Sequence, residues 1–222
     1  MTRDSLQFSA LYLTRFAAGF GLVTLLTLLS EYIDLLNPSG FVLGMFVTSL
    51  TLAQAVAVLP LAYGGDRYDK RRILLASLLI SIAAYVGFAL VSSTGGFLLA
   101  RGLQGLAITG TSLMALSLVG ELAPDTERAN YIGKANAWRF AAGILGTLSA
   151  GVLYEQYGFE VVFAVIVALL VPATLGVWLF LEPDETTGGD GFALTDLALN
   201  RRILTLTSFR AQYAVAVTLV RT

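Results

Sequence analysis

The sequence predicts an all-α integral membrane protein, folded as a six-helix bundle. Of its 222 residues, 56% are hydrophobic and only 13% are charged, whereas about a quarter of the residues are charged in an ordinary soluble domain. The apolar residues also fall into six long runs, each close to the about 20 residues that cross the hydrocarbon of a bilayer. A soluble domain would need more polar surface, so we expect lipid to be the solvent of this protein.

The six runs are continuously apolar, whereas the strands of a membrane β-barrel would be short and alternating. The first run is interrupted by Arg15 and no small-residue cleavage site follows it, so it is not interpreted as a signal peptide. The predicted spans cover residues 8–30, 41–63, 73–91, 97–120, 131–154 and 161–181.

Basic residues in the connecting segments all fall on one side of the predicted bundle, because the loops 31–40, 92–96 and 155–160 contain no Lys or Arg. The positive-inside rule makes the basic side cytoplasmic. We therefore expect a multi-pass protein of the plasma membrane with its N-terminus in the cytoplasm. Basic residues outside the spans on this side include Arg3, Arg67, Lys70, Arg71, Arg72, Arg128, Arg201, Arg202 and Arg210.

The composition changes after the sixth span. Residues 1–181 form the predicted six-helix domain, and residues 182–193 begin with the acidic, Gly-rich sequence EPDETTGGDG, which is typical of a linker. Residues 194–222 turn apolar again and are interpreted as the truncated start of a seventh span or as an amphipathic helix on the inner surface. On this pattern we expect a second half to follow the first.

Two short patterns recur in the same order along the chain. R-x-x-x-G begins at Arg15 in the first span and at Arg101 in the fourth, 86 residues later. A small-x-x-x-acid-x-Tyr pattern ends the second span at 62–68 and the fifth at 151–157, 89 residues later. Copies that are three spans apart have opposite orientations in the membrane, so we expect two inverted three-helix repeats, a feature of secondary transporters.

The segment GGDRYDKRR at residues 64–72 places an acid beside a basic cluster at a membrane edge. A loop that only orients the protein would explain the basic residues but not the spacing of Asp66 and Arg67. An acid at a helix end can pair with an Arg or with the positive N-terminus of a neighbouring helix. We interpret Asp66, Arg67, Lys70 and Arg71 as a gate whose contacts form in one state and break in another.

This segment resembles the motif G-x-L-A-D-R-x-G-R-R-x-x-L between the second and third spans of the major facilitator superfamily. Ala62 and Asp69 stand where that motif has glycines. The resemblance implies that the six predicted spans are the N-terminal half of a twelve-helix transporter fold. The residues that match the motif are Asp66, Arg67, Lys70, Arg71 and Leu74.

The fourth span resembles the R-x-x-Q-G motif of the same family, which Arg101, Gln104 and Gly105 match. Arg101 and Gln104 lie about one helical turn apart and share a face. In the family this Arg is associated with proton coupling or substrate contact, and an Arg inside a span usually faces a cavity or a partner. The alternative is an Arg whose side chain snorkels to the outer boundary.

Residues 146–151 resemble the G-P-x-x-G-G motif of the fifth span, which is associated with antiport. Thr147 and Ala150 replace the proline and one glycine, which weakens the case for an antiporter. We expect Gly146 and Gly151, like Gly105, to let helices pack closely.

Arg15 and Arg139 are further charges inside the spans, each in an RFAAG sequence that we interpret as a chance repetition. Both are candidates for coupling or substrate contact. No acid lies deep in a span. We interpret Glu31 as a solvated loop acid, with an acid that faces Arg101 on the outer side and takes part in coupling as the alternative. Asn136 is predicted either to line a polar cavity or to form a helix–helix hydrogen bond.

The chain has no His and no Cys, which excludes disulfides, thiolate and imidazole metal sites, and Ser-His or H-E-x-x-H proteases. An Asp-Asp protease would need two acids inside the spans, and the predicted spans contain none. A net charge of −1 gives no indication of nucleic-acid binding. We expect no enzyme activity, no cofactor and no metal.

The sequence therefore predicts a secondary active transporter that moves a small solute by alternating access and is coupled to an ion or to protons. Its partners would be the solute, membrane lipid, and a missing C-terminal half or a second copy of the chain. Few polar residues line the spans, which favours a hydrophobic or amphipathic solute over a sugar. The alternative is a non-transporting membrane scaffold or a subunit that pairs with another half.

Overall fold

A computed structural model describes residues 3–183, and all of the regular structure in that range is helical. This confirms the predicted all-α fold class. The predicted linker after residue 183 and the predicted seventh span at 194–222 lie outside the described residues. The helices are α1 (Arg3–Thr27), α2 (Leu29–Leu36), α3 (Gly40–Arg67), α4 (Lys70–Leu90), α5 (Thr94–Leu122) and α6 (Arg128–Phe180).

The helix α6 contains both the fifth and the sixth predicted spans. With 53 residues it is far too long to cross about 30 Å of hydrocarbon once. Its backbone breaks at Gly158, where φ is 74°, a conformation that glycine adopts without steric cost. The loop predicted at 155–160 is therefore a single sharp break between two spans.

The other helices match the remaining predicted spans. α1, α4, α5 and α6 are each long and apolar enough to cross a membrane, and α3 joins them if its segments Gly40–Phe46 and Thr48–Arg67, bent by 45°, count as one span. With α6 crossing twice, the described residues provide the six predicted crossings. α2 continues the first span on the side away from the N-terminus.

The helices pack in a pattern that occurs twice, with α1 against α6 and α5 against α3. A Cβ atom at Gly19 would lie 2.8 Å from the carbonyl oxygen of Arg139, and a Cβ atom at Gly105 would lie 2.6 Å from that of Leu50. Gly105 follows Gly19 by 86 residues and Arg139 follows Leu50 by 89. These are the offsets of the sequence repeat, so equivalent residues of the two inverted repeats make the same close contact.

The two ends of the bundle are held by different interactions. At the end where α1 begins, Lys70 forms an ion pair with Glu121 (Nζ to Oε1 3.1 Å) and Arg71 donates to the carbonyl oxygen of Trp178. At the opposite end, the Tyr32 ring packs against Phe159 with centroids 4.2 Å apart, and its hydroxyl donates to a carbonyl oxygen of α4 over 2.8 Å. The basic residues near the helix ends therefore share one end of the bundle.

Substitution of Gly105 by Ala tests the close approach of α5 to α3. The added methyl group would meet the Leu50 carbonyl oxygen and, at 2.8 Å, the Ala53 Cβ atom, which belong to or adjoin rigid backbone. We expect Gly105→Ala to lower the free energy of unfolding by about 1–3 kcal/mol, the usual cost of overpacking. The measurement is unfolding of the purified chain in mixed micelles by titration with a denaturing detergent.

The matched control is Gly102→Ala on the same helix, because a Cβ atom there has nothing within 4 Å. We expect this variant to unfold at the same detergent fraction as the unmodified chain or at a higher one, because Ala favours a helix over Gly by about 1 kcal/mol. Equal stabilities for the two variants would contradict the packing role of Gly105.

Candidate functional site

The turn between α3 and α4 is organised by Asp69, the residue that departs from the family motif. Asp69 is the N-cap of α4, and its carboxylate accepts a hydrogen bond from the backbone N–H of Arg71 over 2.9 Å. It also pairs with Arg72 at 3.5 Å from Oδ2 to Nε. Asp is among the best N-cap residues, and its place just before a helix is the signal that sequence reasoning missed. The added negative charge therefore stabilises the turn.

Lys70 and Arg71 of the predicted gate connect helices of the bundle. The Lys70 side chain is buried, and its partner Glu121 on α5 also accepts a hydrogen bond from the Ser117 hydroxyl over 2.9 Å. Arg71 reaches the end of α6 at Trp178. Both basic residues hold α4 against its neighbours. Glu121 was not among the predicted site residues, because nothing in its local sequence indicates a partner 51 positions away.

Asp66 and Arg67 differ from the other two gate residues because both are exposed. The Arg67 guanidinium lies 4.6 Å above the centre of the Tyr63 ring, one turn earlier on α3. The Asp66 carboxylate has no ion-pair or side-chain hydrogen-bond partner within residues 3–183. Asp66 is thus available at the surface for a group outside the described residues.

Arg101 is fully buried, with none of its surface exposed. Its Nη1 donates to Gln104 Oε1 over 2.8 Å, and Gln104 Nε2 donates to the Tyr85 hydroxyl on α4 over 3.0 Å. The guanidinium carbon lies 5.9 Å from the centre of the Phe97 ring. Arg101 does not snorkel to the membrane boundary. It belongs to a chain of hydrogen-bonded polar side chains inside the bundle. Arg101 and Gln104 lie on the same face of α5, as the sequence indicates.

The predicted pairing of Glu31 with Arg101 is wrong for this structure. No ion pair joins them, since Arg101 is held by Gln104 while Glu31 lies beside the Tyr154 hydroxyl at the end of the fifth span. Glu31 belongs to α2, which begins just after Leu28, where the backbone (φ −91°, ψ 11°) departs from regular helix geometry. Residue spacing alone does not reveal which neighbouring helix such a side chain reaches.

Arg15 and Arg139 are brought together between α1 and α6. Arg15 is only 3% exposed, and its Nη2 donates to Asn136 Oδ1 over 2.9 Å. Arg139 lies one turn beyond Asn136, and its backbone and Cγ atom lie against Gly19, one turn beyond Arg15 on α1. The two RFAAG sequences that we interpreted as a chance repetition therefore face each other, although they are not equivalent positions of the repeat.

The glycines of the fifth-span motif have different surroundings. A Cβ atom at Gly146 would lie 3.0 Å from the carbonyl oxygen of Phe20 and 2.9 Å from the hydroxyl of Thr24, so α1 and α6 are in close contact there. A Cβ atom at Gly151 would have nothing within 4 Å in the described part of the chain. No contact among residues 3–183 depends on that second glycine.

Comparison with known proteins identifies the family of this fold. The family profile described as Major Facilitator Superfamily matches residues 11–220. The chain belongs to the major facilitator superfamily. Within residues 3–183, no group of three or more Asp or Glu side chains is arranged to hold a metal ion.

Several members of the superfamily are similar in sequence. The uncharacterized MFS-type transporter YuxJ of Bacillus subtilis is 29% identical over 115 residues, which cover 52% of this chain and 29% of YuxJ. A transporter of Buchnera aphidicola is 27% identical over 186 residues, covering 82% of this chain and 45% of the relative. The uncharacterized MFS-type transporter YwfA of Bacillus subtilis is 30% identical over 154 residues, which cover 68% of this chain and 37% of YwfA. The chain thus spans less than half the length of these relatives.

A solved structure of the superfamily has the same fold. It is the inward-facing, unoccupied form of a bacterial homologue of the human lysosomal transporter Spinster. The TM-score is 0.74 at 19% sequence identity, over 89% of this chain and 47% of that protein. The likeness extends to the fold alone, and it confirms the predicted transporter architecture.

Substitution of Tyr85 by Phe tests the buried polar chain that holds Arg101. Removal of the hydroxyl leaves the Gln104 amide as a buried donor without its acceptor, which costs about 1–3 kcal/mol. We expect Tyr85→Phe to lower the melting temperature of the purified chain in detergent. Tyr157→Phe removes an exposed hydroxyl and should leave the melting temperature unchanged, and equal effects of the two changes would contradict a role for Tyr85 in this chain.

Proposed function

We propose that this chain forms the N-terminal six-helix half of a secondary active transporter, which moves a small solute across the plasma membrane by alternating access. Membership of the major facilitator superfamily and the repeated helix contacts support this function. Solutes of secondary transporters bind near the middle of the membrane, between repeats or halves. The N-terminus and the basic end of the bundle would lie in the cytoplasm.

The observation that carries the proposal is the difference between Asp66 and its neighbours. Lys70 and Arg71 are engaged inside the bundle, whereas the exposed Asp66 has no partner within residues 3–183. A gate needs a contact that forms in only one state. The positive N-terminus of a helix in a second half would suit a carboxylate at the end of α3.

The proposal includes a second six-helix half, supplied by further chain, by a separate polypeptide or by a second copy. Its support is that the chain spans less than half of the relatives that it matches. Coupling to protons or to another ion is also part of the proposal. Arg101 is the coupling residue that we assign to this half. It matches the family motif and donates a hydrogen bond to Gln104, which in turn donates one to Tyr85.

The same short coverage supports one other function, a membrane subunit that pairs with another protein and does not transport. The two functions differ in whether the bundle changes state. A transporter half exposes its central cavity first on one side of the membrane and then on the other, whereas a scaffold keeps one arrangement.

Cysteine labelling tests the proposed orientation cleanly, because the natural chain contains no Cys. Ser39 lies between the first two spans and Thr126 between the fourth and fifth. In intact cells we expect a membrane-impermeant maleimide to label Ser39→Cys, and to label Thr126→Cys only after the membrane is permeabilised. The reverse pattern would place the N-terminus outside and overturn the proposed orientation.

Substitution of Asp66 by Asn tests the gate. Loss of a contact between a carboxylate and a helix terminus, about 1 kcal/mol, shifts a two-state equilibrium by about fivefold. The cytoplasmic gate would open more often, so the outer side would be less accessible. We expect maleimide labelling of Thr147→Cys from outside the cell to slow by about fivefold, while thermal stability is unchanged.

Asp125→Asn is the control for this experiment, because Asp125 is exposed at the same end and, among the described residues, is paired with the nearby Arg128. It should change neither labelling nor stability. If Asp66→Asn also left the labelling rate unchanged, the gate would be lost from the proposal and the scaffold function would be favoured.

A further inference from the structure

We propose that Arg15 and Arg139 form an anion-binding site and that the transported solute is an amphipathic organic anion, a carboxylate on an apolar body. The proposal rests on the proposed transport function, because it names the class of solute for that function. Its support is the depth of the two arginines, their missing counter-ions among the described residues and the cavity that Arg139 lines.

Both arginines lie near the middle of the membrane. Arg15 is central in the 25 residues of α1. Arg139 lies about three turns inside α6, which at 1.5 Å per residue is about half of the 30 Å hydrocarbon thickness. α1 and α6 both begin at the basic end of the bundle, so the two side chains come to a similar depth. This is the level at which secondary transporters bind their solutes.

The pair has no counter-ion within the described residues. Arg15 is buried, its Nε has no hydrogen-bond partner, and Asn136 offers it only a neutral oxygen. Two arginines one helical turn from a shared contact, at mid-membrane depth, are costly without an anion. Every acid in residues 3–183 lies near a helix end or in a loop: Asp4, Glu31, Asp34, Asp66, Asp69, Glu121, Asp125, Glu127, Glu155, Glu160 and Glu182.

The repeat shows that the fold does not require a second arginine here. Arg101 is the repeat equivalent of Arg15, and its partners Gln104 and Phe97 enclose it. The repeat equivalent of Arg139 is Leu50, which makes the same backbone contact with its glycine. One repeat therefore packs with an uncharged side chain where the other carries a guanidinium, which indicates a role for Arg139 beyond packing.

A cavity of about 320 Å³ opens between α1 and α6 beside Arg139, a size at the lower end of small-molecule sites. Among the described residues that line it, Arg139 is the only charged one and Thr147 the only one with a side-chain hydroxyl. An apolar wall with one cationic group favours an amphipathic anion, repels a cation and offers few hydrogen bonds to a sugar. The lining residues are Gly19, Leu22, Val23, Arg139, Phe140, Gly143, Ile144 and Thr147.

Tryptophan fluorescence offers a direct binding assay. The chain has two Trp residues, both exposed, and Trp178→Phe removes the one at the far end of α6. Trp138 then reports alone from beside Arg139, where its ring packs edge-on to Phe16 with centroids 6.0 Å apart. The full chain in phosphatidylcholine nanodiscs, which carry no net charge, is titrated with cyclohexanecarboxylate, its amide and cyclohexylammonium.

We expect a saturable change with the carboxylate at a Kd at least about tenfold below that of the amide, because charged hydrogen bonds are the stronger ones. The ammonium compound should give no saturable change. Equal binding of carboxylate and amide would overturn the proposal. So would a carboxylate response that appears only when phosphatidylglycerol is added to the nanodiscs, because the site would then serve lipid headgroups.

Variants assign the binding to the two arginines. Arg15→Gln and Arg139→Gln should each weaken carboxylate binding by at least about tenfold, and Arg139→Lys should weaken it less. Asn136→Asp keeps both arginines but places a carboxylate against Arg15, so it should weaken binding by competition. Arg128→Gln, which removes an exposed charge from the same helix, should bind as the unmodified chain does.

The outcomes separate this proposal from the transport function. Unchanged binding in Arg139→Gln, in protein shown to be helical and monodisperse, would overturn the anion site. Anion-selective binding without uptake of radiolabelled cyclohexanecarboxylate into liposomes would support the site and count against transport. Alternating accessibility of the Thr147→Cys thiol without any carboxylate binding would support transport and overturn the anionic class of solute.

Discussion

Close backbone contact between helices is the constraint on which this bundle depends. In lipid, apolar side chains gain little by leaving the hydrocarbon for one another, so helices associate through tight packing at small residues. Gly19 lies against the backbone of Arg139, and Gly105 against that of Leu50. Any side chain at Gly19 would push α6 away and move the Arg139 side chain with it, so the packing of α1 also positions the proposed anion site.

The second constraint is the cost of charge in an apolar medium. Lys70 is neutralised by Glu121, and Arg101 is solvated by the Gln104 side chain. Arg15 likewise has only a neutral amide oxygen, that of Asn136, and it differs from Arg101 in having a second arginine, Arg139, nearby on α6. A charge that an acid of the fold neutralises is best explained as structural, whereas two arginines beside an apolar cavity, with no acid near them in the described residues, point to an anionic ligand. The same reasoning distinguishes the exposed Asp66 from the capping Asp69.

Much of the architecture was predictable because it depends on local properties of the chain. A span is recognised from the length and apolarity of one segment, and each predicted span corresponds to a helix or to one arm of α6. The offsets of the two short repeats predicted two inverted three-helix repeats, and the equivalent contacts of Gly19 and Gly105 show the same relation in space. The family motifs also placed Arg101 and Gln104 on one face, where they are hydrogen-bonded.

The sequence by itself determined the number of spans, the one-sided basic residues and the family. Only the tertiary structure decided which side chains meet: that Glu31 lies beside Tyr154 and not Arg101, and that Arg15 faces Arg139. Hydrophobic length and motif spacing are properties of one segment. A side-chain partner depends on which helices are neighbours and on how each is rotated about its axis, and those are set by packing between segments distant in the chain.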